Sequence, residues 1–221
     1  MRNIVAFNKE MVDLSKFSNG GTISDSVVVF IDIQNFTKRT AGMTLLQIKD
    51  YLENFYAFVL PEIQKQGGQV DRIMGDGILI VFSEILNRQL LGMDIHKISW
   101  IFSKRIVEKS YATKFPLKAC LASGPLSFCE IGVEGVFHDF TILGMPITEA
   151  YRLDEVARKG HVLTYCDSPL ARQIPEEGNE VWNVIGSVPF SPQGLGPRNY
   201  VGEVLSIAQS EEIRGIIASM R

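Results

Sequence analysis

The run VVVFIDIQNFT, at residues 27–37, most constrains what this chain can fold into. Five apolar residues lead directly into Asp32, and the chain turns polar soon afterwards. A continuous apolar run bounded by turn formers predicts a strand that is buried on both faces. A carboxylate at the end of such a strand is costly unless it has a partner, because a buried charge loses its hydration. Asp32 is therefore expected to bind a divalent cation, to cap the following helix or to pair with a basic residue.

Length, charge and cysteine content narrow the class of protein. The 221 residues, 46% of them hydrophobic, suffice for one generous domain with a sizeable core. A net charge of −3 without a run of Lys or Arg argues against a nucleic-acid surface. The three cysteines have no CxxC spacing and predict buried thiols in a reducing compartment. Without a signal-peptide pattern or a stretch of about 18 apolar residues, we expect a cytoplasmic protein that does not contact membrane.

The order of predicted elements is β-α-β-β-α-β with further elements appended. This order predicts an α+β fold of the ferredoxin-like type, with helices on one face of the sheet. The strands are expected at about 26–33, 69–74, 78–82, 116–123, 126–133, 138–143, 161–165, 180–187 and 199–207. The helices are expected at about 43–66, 84–110, 146–158 and 168–173. The domain is predicted at 24–207, between a lead-in at 1–23 and an amphipathic tail helix at 208–221.

A second isolated carboxylate, Asp76, lies in a Gly-Asp-Gly turn between two of these strands. Judged locally, Asp76 is simply a good turn residue in a β-hairpin. If its hairpin lies beside the strand that carries Asp32, the two carboxylates converge. Carboxylates together with waters and phosphate oxygens are how Mg²⁺ is usually held. The backbone N–H groups of Asn35, Phe36 and Thr37, at the start of the next segment, suit phosphate oxygens.

Four short segments, in order, resemble the signature of the class III nucleotidyl cyclases. FIDIQNFT at 30–37 resembles F-x-D-I-x-x-F-T, RIMGDG at 72–77 resembles K-x-x-G-D, and ASGP at 122–125 matches a small-Gly-Pro turn. TILG at 141–144, with Ala150 and Arg152, resembles D-x-W-G-x-x-V-N-x-A-x-R. These segments extend over about residues 25–205, nearly the whole chain. The resemblance moves Asp32 and Asp76 from cap or turn residues to expected metal ligands.

The resemblance implies a two-metal mechanism on a nucleoside triphosphate. Asp32, Asp76 and the Ile33 carbonyl would hold two divalent cations, Mg²⁺ or Mn²⁺. The ribose 3′-oxygen would attack the α-phosphorus, releasing pyrophosphate and closing a 3′,5′-cyclic monophosphate. Arg152 would neutralise the charge that develops on the α-phosphate. Thr148 occupies the position of the asparagine that orients the ribose.

The resemblance also implies a homodimer with composite active sites. The metal ligands Asp32 and Asp76 of one chain would face the base-reading and transition-state residues of the other. Those residues are Arg72, Thr141, Thr148 and Arg152. A single chain is then expected to be inactive.

The sequence departs from the family pattern where the base is read. Arg72 replaces the lysine that reads adenine, and Thr141 replaces the aspartate that accepts from the adenine amino group. Arginine offers several forked donors, and uracil presents carbonyl acceptors. The lysine that grips the triphosphate has no clear equivalent, and Gln193 or Arg198 are candidates.

With these changes the chain resembles the stand-alone pyrimidine cyclases of the bacterial Pycsar anti-phage systems. The resemblance implies cyclisation of UTP or, next, CTP, and a product that activates a separate effector during phage infection. Two alternatives stay open. One is a bacterial adenylate cyclase that makes cyclic AMP, and the other is an inactive cyclase-like module that binds a nucleotide or dimerises.

Overall fold

The computed structural model describes residues 21–133 and 136–219. Within these ranges the chain forms ten strands and five α-helices, and two 3₁₀ turns at Arg88–Leu90 and Pro169–Gln173. The strands are β1 (Gly21–Ile23), β2 (Val27–Ile33), β3 (Gln69–Met74), β4 (Gly77–Phe82), β5 (Leu117–Ser123), β6 (Leu126–Val133), β7 (Phe137–Leu143), β8 (His161–Tyr165), β9 (Trp182–Phe190) and β10 (Arg198–Leu205). The helices are α1 (Phe36–Thr40), α2 (Leu45–Lys65), α3 (Ile95–Ser110), α4 (Met145–Asp154) and α5 (Ser206–Ser219).

Seven strands form the main sheet, in the order β3-β4-β2-β5-β8-β10-β9. Its first four strands are antiparallel neighbours and, with α2 and α3, make the predicted βαββαβ unit. β8 adds parallel to β5, and the β9–β10 pair completes the sheet. A second sheet, in the order β1-β6-β7, is antiparallel. The ferredoxin-like α+β prediction is confirmed.

The central strand β2 is buried on both faces, as its apolar run predicts. Its odd-numbered residues, such as Val29 and Ile31, pack against α2 and α3. Its even-numbered residues, Val28 and Phe30, pack against α4 and the small sheet. Because side chains alternate along a strand, Asp32 belongs to the α4 side. The two helices of the βαββαβ unit thus share one face, and the appended helix α4 covers the other.

The helix α2 begins as predicted. The Thr44 hydroxyl accepts from the Gln47 N–H, and the Gln47 side chain accepts from the Thr44 N–H. This reciprocal capping box satisfies two of the N–H groups that the first turn leaves open. Pro61 lies inside α2 without ending it.

Several predicted boundaries were wrong. The helix expected at 84–110 begins only at Ile95, because Asp94 caps it and residues 84–94 form a loop around a 3₁₀ turn that Asn87 caps. The helix expected at 146–158 ends at Asp154, and the segment at 168–173 is 3₁₀ rather than α.

Two ends of the predicted domain have structure of their own. Three residues of the expected lead-in form β1, which pairs with β6. The tail helix begins at Ser206, two residues before the predicted start. Its predicted apolar face, Ile213, Ile216, Ile217 and Met220, lies outside the described side chains.

The described helices include none that is long and apolar enough to cross a membrane. Cys120 is buried, whereas Cys129 and Cys166 are half-buried, and all three thiols are free. The expectation of buried thiols therefore holds fully for Cys120 alone.

Candidate active site

The end of β2 and the β3–β4 turn meet, as the convergence of the two carboxylates requires. β2 and β4 are neighbours, and Asp32 lies opposite Gly77. The Ile33 N–H donates to the Asp76 carbonyl over 3.3 Å. The two chain segments that carry the acids are therefore joined by the backbone, and the Asp32 and Asp76 charges interact.

Gly77 keeps the acids close because it has no side chain. A Cβ at this position would lie 2.7 Å from two ring carbons of Phe30 and 3.7 Å from Asp32 Oδ1. The ring contact is closer than any Cβ tolerates, so that a side chain here would force either the Phe30 ring or the hairpin to shift. A glycine inside a strand often marks such a close approach.

A buried lysine that the sequence analysis missed pairs with Asp32. Lys118, on β5, lies directly opposite Asp32 in the sheet. Its Nζ is 3.2 Å from Asp32 Oδ2 and 2.8 Å from Asp154 Oδ2, and it also donates to the Asp154 carbonyl. The basic partner considered for Asp32 therefore exists. The sequence signal that could have revealed this pair is the lone lysine within an apolar strand, because a buried ammonium needs an acidic partner.

The acids of this cluster nevertheless outnumber its cation. Burial raises the pKa of Asp32 to about 7, and the Asp154 and Asp76 charges add to the rise while Lys118 opposes it. Burial also raises the pKa of Asp154, against the lowering effect of Lys118. Asp154 Oδ1 is buried without a hydrogen-bond partner among the described residues. This excess of negative charge attracts cations, and Asp32 and Asp76 supply carboxylate oxygens of the kind that Mg²⁺ prefers. No group of three or more acidic, histidine or cysteine side chains among the described residues is placed to hold a metal ion, so waters and phosphate oxygens would have to complete its coordination.

The backbone after β2 turns sharply at Asn35. Asn35 has φ 59° and ψ 35°, a left-handed conformation that asparagine tolerates better than most residues, and it precedes α1. The Gln34 N–H donates to the Pro116 carbonyl, which fixes the start of this turn against the chain before β5. Asn35, Phe36 and Thr37 thus follow directly on the segment that carries Asp32 and Ile33.

The helix α4 carries the two predicted catalytic residues on one side. Thr148 and Arg152 are four residues apart and therefore lie on the same helical face. Thr148 is exposed, and Arg152 Nη1 donates to Glu155 Oε1 over 2.6 Å. Asp154, two residues beyond Arg152, connects α4 through Lys118 to Asp32.

The two predicted base-reading residues contact each other although they are 69 positions apart. Arg72 Nη2 donates to Thr141 Oγ1 over 3.2 Å and reaches the Ile142 carbonyl at 3.5 Å. Arg72 Nε donates to Asp71 Oδ2 over 2.6 Å. Thr141 is buried, and the Arg72 side chain is 39% exposed. The structure thus brings Arg72 and Thr141 into one polar pair, partly open to solvent.

Arg198, a candidate for binding the triphosphate, already forms ion pairs with two carboxylates. Its guanidinium pairs with Glu149 on α4 and, through Nη2, with both oxygens of Asp167 at 2.7 and 2.8 Å. The guanidinium also lies 4.1 Å above the Tyr165 ring. The other candidate, Gln193, is exposed.

Comparisons with curated proteins give a short match and several long, weak ones. No family model matches the chain. A segment of 64 residues, 28% of the chain, is 38% identical to part of the terminal-differentiation specific adenylate cyclase of Dictyostelium discoideum. Over 201 residues, 89% of the chain, it is 26% identical to an uncharacterised protein of Mycobacterium tuberculosis. The matched regions make up only 3% and 34% of those relatives.

Solved structures match most of the chain. The guanylate cyclase domain of RhGC from Catenaria anguillulae, crystallised with GTP, superposes with a TM-score of 0.67 and 17% identity. That match covers 84% of this chain and 98% of the other. This chain has the class III cyclase catalytic fold. The adenylyl cyclase CyaB from P. aeruginosa shares this cyclase fold with a TM-score of 0.61, 17% identity and coverage of 84% and 95%.

Proposed function

We propose that this chain is a nucleotidyl cyclase that converts a nucleoside triphosphate to its 3′,5′-cyclic monophosphate and pyrophosphate. The observation that carries the proposal is the meeting of Asp32 and Asp76 on a cyclase fold, joined by the hydrogen bond from the Ile33 N–H to the Asp76 carbonyl. Two acids that are held together and short of positive charge suit the divalent cations that phosphoryl transfer requires.

Asp32, Asp76 and the Ile33 carbonyl are the residues assigned to the metal. Mg²⁺ or Mn²⁺ bound by them would lower the pKa of the ribose hydroxyl and neutralise the triphosphate. Asn35, Phe36 and Thr37 would bind phosphate oxygens through their backbone N–H groups. Thr148 would orient the ribose, and Arg152 would neutralise charge on the α-phosphate. The long hydrocarbon stem of Arg152 lets it exchange Glu155 for a phosphate.

We assign the active form to a homodimer, with the acids of one chain facing Arg72, Thr141, Thr148 and Arg152 of its partner. Arg152 pairs within its own helix with Glu155, and the Asp32 carboxylate pairs with Lys118. The chain's own arginine therefore does not serve as the partner of its own acid. This arrangement supports a site completed by a second copy.

UTP is the proposed substrate, with CTP next. The Thr141 hydroxyl accepts from Arg72, so its own proton is available to a base. Arg72 and Thr141 therefore present donors, which complement a carbonyl-bearing base edge such as the O4 of uracil. Adenine has no carbonyl, and its exocyclic amino group would face these donors unfavourably. Cytosine also carries an amino group but keeps its O2 carbonyl as an acceptor, so CTP comes second.

Adenylyl cyclase activity is the second candidate function. The 38% identity over 64 residues to an adenylate cyclase, and the shared fold with another, favour ATP as substrate. The amino group of adenine would then need an acceptor, which Thr141 Oγ1 can supply with its second lone pair.

One experiment tests both candidates. The purified protein is incubated with each of the four ribonucleoside triphosphates and Mg²⁺ or Mn²⁺, and cyclic products and pyrophosphate are quantified. Cyclic UMP as the main product supports the proposal. Product from ATP alone would exclude the pyrimidine assignment, and no product from any of the four, with the protein dimeric, would exclude an active cyclase.

The biological role proposed for the product is that of a second messenger in anti-phage immunity, acting on a separate effector. This role rests on the resemblance to the Pycsar cyclases. Cells that carry the wild-type gene should accumulate the cyclic nucleotide on infection, and cells that carry Asp76→Ala should not. Equal phage growth in both strains would contradict the role.

A further inference from the structure

β3 contains a bulge at Asp71. Val70 pairs with Ile80 of β4, and Arg72 pairs with the next residue, Leu79, so that Asp71 is the extra residue of the ladder. A bulge of this kind bends the strand and redirects the side chains around it. In a regular strand, by contrast, consecutive side chains point to opposite faces and do not meet.

The bulge allows neighbouring side chains to form an ion pair. Arg72 Nε donates to Asp71 Oδ2 over 2.6 Å. The Asp71 side chain is only 3% exposed, whereas the Arg72 side chain is 39% exposed. A buried carboxylate thus anchors the inner part of a guanidinium whose outer part is open to solvent. Hydrogen bonds between charged partners are the strong ones, and this bond is short.

The same guanidinium is held at a second point. Its Nη2 donates to Thr141 Oγ1 and approaches the Ile142 carbonyl, both at the end of β7. Nε and Nη2 lie on one edge of the planar group, so the contacts to Asp71 and Thr141 together fix the plane of the guanidinium. These contacts thus hold the guanidinium at two of its three nitrogens, with 39% of the side chain exposed to solvent.

We propose that Asp71 is a positioning residue that sets base selectivity by holding Arg72 in one orientation. Asp71 itself does not touch the substrate. The proposal rests on the proposed function, because it takes Arg72 and Thr141 as the residues that read the base. An arginine free to rotate about its four side-chain torsions would meet several bases equally well. An arginine fixed in one plane discriminates between donor and acceptor edges.

The main variant is Asp71→Asn, which keeps the shape of the side chain and removes its charge. We expect the ratio of kcat/KM between the best and the second-best nucleoside triphosphate to fall roughly tenfold. The fall should come mainly from a higher KM for the best substrate, with kcat changed less than about threefold, because Asp71 is remote from the reacting atoms. Equal loss of activity with all four nucleotides would indicate a merely structural role and overturn the proposal.

A double-mutant cycle tests whether Asp71 acts through Arg72. In an Arg72→Ala background, Asp71→Asn should leave the remaining selectivity unchanged. If Asp71→Asn altered selectivity equally in both backgrounds, Asp71 would not act through Arg72, and the proposal would be wrong. Arg72→Lys keeps the positive charge but lacks the forked guanidinium, so it should reproduce the loss of base selectivity. It is also the substitute variant if Asp71→Asn does not fold.

Binding measurements separate this proposal from the cyclase assignment. The 3′-deoxynucleoside triphosphates lack the attacking hydroxyl, so calorimetry with them and Mg²⁺ reports binding alone. Reduced discrimination in Asp71→Asn supports the proposal even if the wild-type protein forms no cyclic product. A wild-type protein that binds none of the four, or all four equally, would overturn it.

Asp94→Asn is the matched control. It makes the same chemical change at the N-cap of α3, a helix packed on the opposite face of the sheet from α4. Asparagine caps helices as well as aspartate does, so that stability and base selectivity should both stay at wild-type values. A change in selectivity in this control as large as that of Asp71→Asn would remove the support for a specific role.

Discussion

Lys118 is the residue whose contacts most affect Asp32, one of the proposed metal ligands. In this chain it bridges Asp32 and Asp154, so that the Asp32 carboxylate has one oxygen near an ammonium and the other near Gly77. The arrangement holds the acid in place before any cation arrives. It also explains how a carboxylate can sit in an otherwise apolar strand at a tolerable cost.

Asp76→Ala should abolish turnover and leave the fold intact. Asp76 lies in a turn, and its fold contribution is a backbone carbonyl that alanine retains. We expect a loss of activity of at least about 100-fold, since lost metal-site contacts cost that much or more. Cyclic-nucleotide formation and thermal unfolding measure the two effects. Asp50→Ala, on the exposed side of α2, is the control and should keep full activity.

Residual activity near the wild-type level in Asp76→Ala would contradict the two-metal assignment. A large drop in melting temperature would instead assign Asp76 a structural role.

His161 should make the protein sensitive to acid. Burial, with the nearby charges of Arg158 and Lys118, lowers the pKa of His161 to about 4, and its Nδ1 is buried without a described partner. The unfolded chain takes up the proton at about 6.5, whereas the folded protein resists it down to about 4. The contribution of His161 to the free energy of unfolding therefore falls as the pH drops through this window, by about 3 kcal/mol. Urea unfolding at several pH values measures the fall.

A His161→Gln variant isolates this effect, because it removes the titrating group. Between pH 7 and 4.5 its free energy of unfolding should fall less than that of the wild-type protein. Identical pH profiles for the two proteins would show that His161 is not responsible.

Residue roles were only partly predictable from the sequence. Asp32 and Asp76 stand out because each is a lone acid beside apolar residues or glycine. Lys118 was missed because its two acidic partners, Asp32 on β2 and Asp154 on α4, are distant from it in the sequence, and no local pattern identifies them. The Asp71 bulge was invisible for a similar reason, since a bulge is defined by the register against β4 and not by residue type.

At the level of elements, β2, β5 and α4 are linked through a single buried cation. β2 contributes Asp32, β5 contributes Lys118, and α4 contributes Asp154. Because α4 also carries Thr148 and Arg152, the position of these residues depends on the same link. The cluster therefore stabilises the orientation of a helix as well as a strand end.

Lys118→Met should destabilise the protein in a pH-dependent way. Removing one partner of a buried ion pair typically costs about 3–5 kcal/mol, because the remaining charges lose their compensation. The raised pKa of Asp32, about 7, lets this acid take up a proton below neutral pH. The loss in unfolding free energy should therefore be smaller at pH 6 than at pH 8, as measured by urea unfolding.

Lys49→Met is the matched control for this prediction. Lys49 pairs with Glu53 on the exposed surface of α2, so the same substitution there should leave the free energy of unfolding nearly unchanged at both pH values. An equally small cost for Lys118→Met, independent of pH, would show that the buried cluster does not couple the three elements.

Element types were predicted better than element ends. The continuous apolar run located β2 correctly, the helical spacing of apolar residues located α2, and the Gly-Asp-Gly turn located the β3–β4 hairpin. The start of α3 was placed too early because residues 84–94 contain apolar side chains at helical spacing. Leu86 and Leu90 are buried in the structure, but as parts of a loop around a 3₁₀ turn. Burial of a loop produces the same pattern as burial of a helix.

For the whole molecule, the main expectation is that each active site is built from residues of two chains. Each chain would give its acids to one site and its arginines to the other. An Asp32→Ala chain mixed with an Arg152→Ala chain should then form heterodimers with one intact site. Activity should recover to roughly a quarter of the wild-type value, since random pairing of equal amounts makes half of the dimers mixed and each mixed dimer holds one of two sites.

Each variant measured alone is the control and should be inactive. Heterodimer formation is verified with two different affinity tags. Mixed dimers without activity would argue against composite sites, and activity in either variant alone would argue against the assigned roles.

The fold as a whole was predictable because the order of strands and helices leaves few topologies. The comparisons bear this out, with superpositions that cover 84% of the chain at under 20% identity. At such low sequence identity the base used by a relative does not carry over to this chain. Under our proposal, Arg72 on β3 and Thr141 on β7 determine the base.

The contact between Gly77 and the Phe30 ring has an evolutionary consequence. Any side chain at position 77 would collide with this ring, which also packs edge-on against Tyr151 at 4.7 Å. Relatives with a larger residue at position 77 should therefore carry a smaller one at position 30, and substitutions at the two positions should be inherited together. In the laboratory, the same constraint makes Phe30→Leu the substitution that should allow residues other than glycine at position 77, beside the turn that carries the proposed metal ligand Asp76.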